Sequence, residues 1–358
     1  MGGQSQTKTK FTKEEEAQAE IDVWKYVFGF TDMAIVKCAI ELGIADVLET
    51  QDEPVTLEDL SSLLGCHTSP LHRIMRFLTN RGIFKEDVTT EEGGHICYTQ
   101  TPMSRLLRRG GDKSLGAFIL LESSPPMLAP WHELSSRVMI KGSSAFEGAH
   151  GEDVWTYAAN NPTHSKLIND AMSSHARISV PVIIEHCPEV FEGVNSLVDV
   201  GGGDGTTLQM LVKAFPWIHG INFDLPHVIS TTTNYEGLEN VGGDMFVSIP
   251  KADAIYIMWV LHDWGDDECI RILKNCRESI PKDTGKVIMA EAVIDLEEEK
   301  CKQLANVSLM LDMVMLAHTT NGKERTTKEW ASILNAAGFS SYTFKRIQAV
   351  QSLIIAYP

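Results

Sequence analysis

Short apolar runs alternate with helical patterns from Ser196 onward. The runs SLVDV, HGINF, AIYIMWV and KVIMAEAV are rich in β-branched residues, and stretches such as TTLQMLVKAF and DDECIRILKNCRESI separate them. This alternation is typical of right-handed βαβ units on a parallel sheet. It therefore predicts an α/β domain whose ligand lies beyond the carboxyl ends of the strands.

Residues 17–110 follow a different pattern. The segment VTLEDLSSLLGCHTSPLHRIMRFLTNRGIF predicts two short helices, the first capped by Thr56 and ended by Gly65, the second starting at Ser69 and Pro70. The strand-like pieces GIFKED and HICYTQT follow around a glycine pair. Together they predict a mostly helical, winged-helix-like domain.

A helix-turn-helix raises the question of DNA binding. Between Val55 and Gly110 there are seven Lys or Arg and six Asp or Glu, so the segment has no excess of cations to neutralise phosphates. The formal charge of the whole chain, −17, opposes a polyanionic partner as well. We therefore expect no nucleic-acid partner and assign this domain to dimerisation or to covering a substrate.

The length of 358 residues exceeds one usual core, and we place two domains at 1–118 and 119–358. The seven cysteines are odd in number and include no C-x-x-C pair, which argues against a disulfide framework and a zinc site. No apolar run approaches the length of a membrane span. These features predict a cytoplasmic protein with no membrane partner.

A glycine-rich turn follows the run LVDV directly. Gly201, Gly202, Gly203 and Gly205 allow a sharp turn and a close approach by a ligand, although a merely tight strand-to-helix turn has the same composition. The dinucleotide fingerprint needs a further glycine at 206 or 208, where this chain has other residues. A pyrophosphate cradle, and with it a nicotinamide oxidoreductase, is therefore disfavoured.

Acidic residues follow the next two strands. Asp224 ends INFD and can accept hydrogen bonds from both hydroxyls of a ribose. Asp244, after a second glycine pair, can meet the polar edge of a purine while Met245 packs on its face, although each aspartate alone is equally suited to a loop cap or an Asx turn. Together they predict an adenosine site without a phosphate clamp, which suits S-adenosylmethionine.

The run IYIMWVLHDW ends in an imidazole beside a carboxylate. A histidine that closes a buried strand is more often structural, but His262 and Asp263 follow the fourth strand and Glu291 ends the fifth, so all three belong to the cofactor rim. If the cofactor's methyl group is transferred to a phenol, the phenol must lose its proton. Proton transfer from a phenol to a free histidine is uphill by about 3.5 pKa units, near 5 kcal/mol. A carboxylate on the far ring nitrogen reduces that gap, so we predict His262 as a general base.

The motifs LVDVGGG, GINFDLPHVI, VGGDMFVSIP, WVLHDW, GKVIMAE and GKERTTKEW, in this order and spacing, resemble those of plant S-adenosylmethionine-dependent O-methyltransferases of the caffeic acid, flavonoid and alkaloid type. The resemblance covers nearly the whole chain. It implies a Rossmann-like catalytic domain after a winged-helix-like dimerisation domain, a homodimer, a phenolic small-molecule acceptor and no metal. Helices of the partner subunit often close the pocket in this family, which would explain the wide apolar stripe around Trp24 and Phe28.

The resemblance also assigns roles to individual residues. It implies that His262 deprotonates the acceptor, that Glu291 and Glu324 flank and hold it, and that Asp263 assists. Only the resemblance supports a role for Glu324 in the site, because a glutamate just before a helix is equally well a surface charge.

The same resemblance implies the cofactor-binding residues, which are Gly201, Gly203, Asp224, Asp244, Met245 and Met258. At two positions the chain departs from the family. Met258 stands where relatives commonly carry lysine, and Asp204 replaces the usual threonine in the glycine turn. We expect both to affect cofactor affinity and neither to change the reaction.

The helix pattern LANVSLMLDMVMLAH and the region before residue 180 carry further candidates for the acceptor pocket, which are Met127, Trp131, Met172, Met310, Met313 and Met315. Methionines are also adaptable core filler, the better reading for at least one of them. The acceptor class stays open among phenylpropanoids, flavonoids, coumarins and alkaloids.

Two alternatives remain. A winged-helix regulator that binds S-adenosylmethionine without catalysis would bind DNA, against the charge balance described above. A metal-dependent methyltransferase would need ligands such as Asp263, Asp266 and Asp267, which more simply cap the helix that follows them.

Overall fold

The computed structural model describes residues 11–88, 94–139, 142–294 and 302–358. The chain divides into two compact units, Met1–Arg109 and Gly110–Pro358. This division falls nine residues before the predicted boundary at 118.

The first unit combines short helices with a small antiparallel sheet of order β1-β3-β2. Its elements in chain order are α1 (Lys13–Val27), α2 (Phe30–Leu42), α3 (Ile44–Glu49), β1 (Val55–Thr56), α4 (Leu57–Leu64), α5 (Thr68–Asn80), β2 (Lys85–Val88), β3 (Ile96–Thr99) and α6 (Pro102–Arg105).

The predicted helix-turn-helix is α4 and α5, and the predicted hairpin is β2 and β3. The Thr56 hydroxyl caps α4 by accepting from the Asp59 N–H, and Gly65 ends it in the left-handed region at φ 64°. Helix α5 begins at Thr68, one residue before the predicted start. Of the predicted glycine pair at the hairpin tip, Gly93 lies outside the described residues.

Helix α1 presents a wide apolar surface to solvent. Ile21, Trp24, Val27 and Phe28 are all exposed, and the rings of Trp24 and Phe28 stack at 5.6 Å between centroids. No residue of this helix is buried within its own chain. The predicted apolar stripe is therefore confirmed as a surface that the described part of a single chain leaves uncovered.

The second unit is a three-layer α/β domain. Its elements in chain order are α7 (Gly116–Glu122), α8 (Pro125–Leu128), α9 (Leu134–Met139), α10 (Ala145–His150), α11 (Val154–Asn160), α12 (Pro162–His186), β4 (Ser196–Val200), α13 (Thr206–Ala214), β5 (His219–Asp224), α14 (Pro226–Ile229), β6 (Leu238–Gly242), β7 (Ala254–Met258), α15 (Asp266–Glu278), β8 (Lys286–Ile294), α16 (Lys302–His318), β9 (Arg325–Thr326), α17 (Thr327–Ala337), β10 (Ser341–Arg346) and β11 (Gln351–Tyr357). Short 3₁₀ turns cover Ala129–Glu133, Pro188–Phe191 and Leu261–Asp263.

The large sheet has the order β10-β11-β8-β7-β4-β5-β6, with β9 pairing to β8. The pairs β4–β5, β5–β6, β4–β7 and β7–β8 are parallel, which confirms the predicted α/β sheet. Strand β11 is antiparallel to β8, and β10 is antiparallel to β11. A short turn suffices to join β10 to β11, since antiparallel neighbours need no crossover helix. The strand order reverses at β4, between β5 and β7, which is where such sheets open a ligand crevice.

Helices cover both faces of this sheet. On one face α15 and α17 pack Ile272, Leu273 and Trp330 against the strands. On the other, α12 and α13 contribute Val180 and Leu208. Because the central strands are buried on both sides, their sequences are almost continuously apolar.

The predicted end of the fifth strand was wrong. Strand β8 continues to Ile294, so Glu291 lies inside it, three residues before its end. The extension exists because Val293 and Ile294 pair with Arg325 and Thr326 of β9. Sequence periodicity does not show a two-residue partner strand.

No helix among the described residues is long and apolar enough to cross a membrane. Six of the seven cysteines are described and all six are free thiols, in agreement with the sequence.

Replacing Trp330 with alanine tests the packing of α17. Trp330 is fully buried, and the Arg325 guanidinium lies 5.3 Å from its ring centroid. We expect Trp330→Ala to lower the free energy of unfolding by about 3–5 kcal/mol, because the truncation leaves a cavity. Trp217, which is 56% exposed, is the matched control and should lose about 0.5 kcal/mol or less. Equal losses in urea titrations of the two variants would contradict this packing.

Candidate active site

The glycine turn after β4 is held tightly against two polar side chains of the sheet. Gly201, Gly203 and Gly205 have φ values of 72°, 58° and 82°, in the left-handed region. A Cβ on Gly202 would lie 2.1 Å from Asn222 Oδ1 and 3.0 Å from Asp199 Oδ2. The backbone therefore needs glycine at 202 because the turn packs closely on these two side chains, and the predicted approach by a ligand stays a prediction.

Asp224 ends β5, as predicted, and faces this turn. Its Oδ2 accepts from the Gly203 N–H at 2.9 Å and its Oδ1 from the Leu225 N–H at 2.6 Å. Burial raises the pKa of Asp224, and these two backbone hydrogen bonds partly offset the rise. A second acceptor site on each oxygen remains available, since a carboxylate oxygen has two lone pairs.

The crevice beside the turn is acidic. Asp199 is 2% exposed and its Oδ2 has no hydrogen-bond partner among the described atoms. Burial, and then the charges of Asp224 and Asp204, raise the pKa of Asp199 to about 8. Asp204 itself accepts from the Ser173 hydroxyl and from the Thr206 N–H. Three carboxyl groups beside the turn disfavour the negative charge of a pyrophosphate at this place.

The remaining predicted cofactor residues divide between loop and core. Asp244 follows β6, and its Oδ1 accepts from the Phe246 N–H at 2.8 Å in an Asx turn. Met245 packs against the sheet core, while its carbonyl accepts from the Asn275 side chain. Met258 Sδ accepts from the Tyr256 and Ser179 hydroxyls at 3.6 and 3.8 Å, so its sulfur contacts α12 and its own strand.

His262 lies in the 3₁₀ turn that follows β7. It is 5% exposed, and its Nδ1 is 2.7 Å from Oε1 of Glu324, which is 2% exposed. The distance from His262 Nε2 to Asp263 Oδ1 is 3.6 Å. The imidazole therefore carries a buried carboxylate on one nitrogen and a second carboxylate near the other.

Glu291 contacts the backbone of the turn instead of the imidazole ring. Its Oε1 accepts from the N–H groups of Val260 and Leu261 at 3.2 and 2.9 Å, and its Oε2 has no partner among the described atoms. Its side chain is fully buried within 4.8 Å of the ligand atoms of His262 and Glu324. Glu291 thus fixes the turn and adds negative charge behind the histidine.

The carboxyl groups change the basicity of the imidazole. Burial alone would lower the pKa of His262, but the carboxylates of Glu324 and Asp263 outweigh it and raise this pKa to about 10. Burial in turn raises the pKa of Glu291 to about 7 and that of Asp263 to about 6, both partly offset by His262. The site therefore stabilises an imidazolium, which is what a base needs when it accepts a proton.

Arg325 holds this turn in place and was missed by sequence reasoning. It is fully buried, and its guanidinium donates to the carbonyls of Leu261 and Trp264 and to Asp266. Its position directly after Glu324 couples the loop that supplies the carboxylate to the turn that supplies the imidazole. The motif GKERT does place an arginine directly after Glu324. An arginine before a helix is usually solvent-exposed, so the sequence did not indicate that it is buried.

A second set of missed residues lies on the other side of the turn. Trp259 has a φ of 53°, the one positive value at a non-glycine position in the described residues. Its ring stacks on His175 at 3.8 Å between centroids and lies 5.8 Å from His262. His175 Nε2 is 2.6 Å from Gln351 Nε2, and burial lowers the pKa of His175 to about 4, so this ring is neutral.

The pocket candidates have mixed environments. Met127 and Met315 are buried, whereas Met310 and Met313 are exposed. Trp131 packs edge-on against His318, at 5.9 Å between centroids. Met172 packs on a small core cluster around Phe146 and Met127.

One group of buried side chains has the donor atoms that a metal ion needs. Among the described residues, His262, Glu291 and Glu324 form the one group whose ligand atoms lie close enough to hold an ion. The Nδ1 of this histidine already shares a hydrogen bond with Glu324, so one of the three ligand atoms is occupied. Asp266 is the first residue of α15 and pairs with Lys323 and Arg325, so its charge lies at the positive end of that helix. The predicted side-chain cap was wrong, because the N-cap is Gly265 and no side chain makes a capping hydrogen bond to α15.

Comparison with known proteins gives a family for both units. A model described as an O-methyltransferase dimerisation domain matches residues 24–110, and a model described as an O-methyltransferase domain matches residues 131–340. The crystal structure of human N-acetylserotonin methyltransferase in complex with S-adenosylmethionine has the same fold. Its TM-score is 0.82 at 21% sequence identity, over 95% of this chain and 97% of that chain.

Sequence relatives cover nearly the full length. An acetylserotonin O-methyltransferase of Arabidopsis thaliana is 53% identical over 96% of this chain and 94% of its own length. A flavonoid 4'-O-methyltransferase of Ocimum basilicum is 42% identical over 96% of this chain and 99% of its own. The chain therefore belongs to the plant family of S-adenosylmethionine-dependent O-methyltransferases that act on specialised metabolites.

Proposed function

We propose that this protein methylates a phenolic hydroxyl of an aromatic acceptor, with His262 as the general base. The observation that carries the proposal is the buried 2.7 Å contact between His262 Nδ1 and Glu324 Oε1, which leaves Nε2 as the nitrogen that takes up a proton. Hydroxyindoles and flavonoids are the acceptor classes that the names of the relatives support. Alkaloids and phenylpropanoids are the wider expectation from the sequence motifs.

The cofactor residues are part of the same proposal. Bound S-adenosylmethionine supplies a methyl group that is already activated on a sulfonium. Gly201 and Gly203 form the turn that admits it, and Asp224 accepts from the ribose hydroxyls through its free lone pairs. Asp244 and Met245 contact the adenine, while Met258 provides an apolar contact where relatives carry a cation.

Proton transfer follows from the charges around His262. The Nδ1–H donates to Glu324, so Nε2 of the neutral ring is a lone-pair acceptor for the phenolic proton. The carboxylates raise the pKa of His262 above its ordinary value, which narrows the gap of about 3.5 pKa units between a free histidine and a phenol. Asp263, 3.6 Å from Nε2, stabilises the proton once it has moved. Burial of the pair keeps water out of this exchange.

We also propose that the protein works as a homodimer, with no nucleic-acid partner. The match of residues 24–110 to a dimerisation domain and the uncovered apolar surface of α1 support a second copy as the partner.

The variant His262→Ala tests the catalytic assignment. Loss of a general base should lower kcat by about 10²–10⁴-fold, because the phenolic proton then has no acceptor in the site. Methyl transfer from radiolabelled S-adenosylmethionine to N-acetylserotonin and to a flavone panel gives the rate, and calorimetry should show unchanged cofactor affinity. His219→Ala, at an exposed histidine, is the control and should retain full activity. A His262→Ala protein with wild-type kcat would overturn the assignment.

The variant Gly202→Ala tests the cofactor turn. The added Cβ would collide with Asn222 Oδ1 at 2.1 Å and displace the turn. We expect the Kd for S-adenosylmethionine to rise at least about tenfold, or ~1.4 kcal/mol, in calorimetric titrations. Gly110→Ala adds a Cβ that meets nothing within 4 Å and serves as the control. An unaltered Kd in the Gly202 variant would place the cofactor elsewhere.

A further inference from the structure

Helix α7 ends in a carboxylate that nothing in the described chain neutralises. Glu122 is half-buried, and no described residue donates a hydrogen bond to it or forms an ion pair with it. Burial raises the pKa of Glu122 to about 7, and no neighbouring charge contributes to this rise. A desolvated carboxylate without a partner costs folding free energy, because it loses hydration and gains no counter-charge.

The position within the helix adds to that cost. Glu122 is the last residue of α7, at the negative end of the helix dipole, where a cation is favoured and an anion is not. The residues on either side, Leu121 and Ser123, are buried. Neither the helix dipole nor the packing of its neighbours therefore explains a glutamate at 122. Sites where a sequence breaks several local rules at once are often functional.

Spacing along α7 relates Glu122 to the active site. Residues four apart lie on the same helix face, so Glu122 shares a face with Phe118. The ring of Phe118 packs edge-on against Trp259 at 5.9 Å and lies 6.5 Å from His175. Trp259 in turn lies 5.8 Å from His262. Side chains on a helix lean toward its N-terminus, so the carboxylate leans back over the turn that carries Phe118.

We propose that Glu122 is a specificity-determining residue that binds a protonated amine on the acceptor, remote from the hydroxyl that is methylated. An ammonium supplies both the counter-charge and the hydrogen-bond donors that the carboxylate lacks. The rings of Phe118 and Trp259, which meet edge-on, provide apolar contacts between the two ends of such an acceptor. This inference rests on the proposed phenol methylation.

The test compares two acceptors that differ in one charge. Serotonin carries an ammonium and N-acetylserotonin a neutral amide, while both present the same phenol. In Glu122→Gln, which keeps the shape and removes the charge, we expect the ratio of kcat/KM for serotonin to that for N-acetylserotonin to fall about tenfold from its wild-type value. The fall should reside in KM for serotonin, because the lost contact is distant from the reacting oxygen. Glu185→Gln, at an exposed position on α12, is the control.

The outcomes separate this inference from the proposed function. The role of Glu122 alone is overturned if the ratio of kcat/KM values changes less than threefold in Glu122→Gln. It is also overturned if the wild-type protein methylates N-acetylserotonin or the flavone apigenin and does not bind serotonin. Absence of methyl transfer to every phenol tested overturns the proposed function. Folding is checked by thermal melting, in which Glu122→Gln should be at least as stable as wild type, because it removes an uncompensated charge.

Discussion

The buried contact between His262 and Glu324 is the interaction on which the rest of the site depends. The two residues are 62 positions apart and are supplied by different loops, the turn after β7 and the segment before α17. A buried imidazole would ordinarily lose its proton affinity, and a buried carboxylate would ordinarily be protonated. Placed together they compensate each other, and the pair keeps a strong base in a region that excludes water.

Much of the surrounding structure keeps these two loops in register. Glu291 accepts from the backbone of the turn on one side, and Arg325 donates to its carbonyls on the other. The short pairing of β9 with the extended end of β8 fixes Arg325, and therefore Glu324, beside that end of the strand. Trp259, in its left-handed conformation against His175, fixes the start of the same turn. The strand order brings this assembly beside the glycine turn, since β4 and β7 are neighbours.

The local features of the sequence predicted the fold and the positions of several candidate site residues. Strand periodicity, the cap at Thr56 and the glycine turn before α13 are determined by neighbouring residues, and the structure has them where the sequence placed them. The rule that ligands bind at the carboxyl ends of parallel strands predicted that His262, Asp224 and Asp244 lie along one edge of the sheet. Glu324 needed the family resemblance, because its partner is distant in sequence. The strand-end rule was also too simple for Glu291, which lies within β8.

What the sequence did not show depends on tertiary context. Arg325 is read as a surface charge until its burial is known, and His175 with Gln351 form a pair only after α12 packs on the last strand. Glu122 is unremarkable in the letters LLESS, and its lack of a partner becomes visible only once the helix is packed.

The protonation state of His262 tests the account most directly. In ¹⁵N NMR titrations of the protein loaded with S-adenosylhomocysteine, we predict that Nδ1 carries the proton of the neutral ring and that the pKa of His262 lies above the ordinary value of about 6.5. Because Glu324 stabilises the protonated form, Glu324→Gln should lower this pKa, so that the proton is lost at lower pH. A pKa at or below about 6.5 in the wild type, unchanged by Glu324→Gln, would contradict the account.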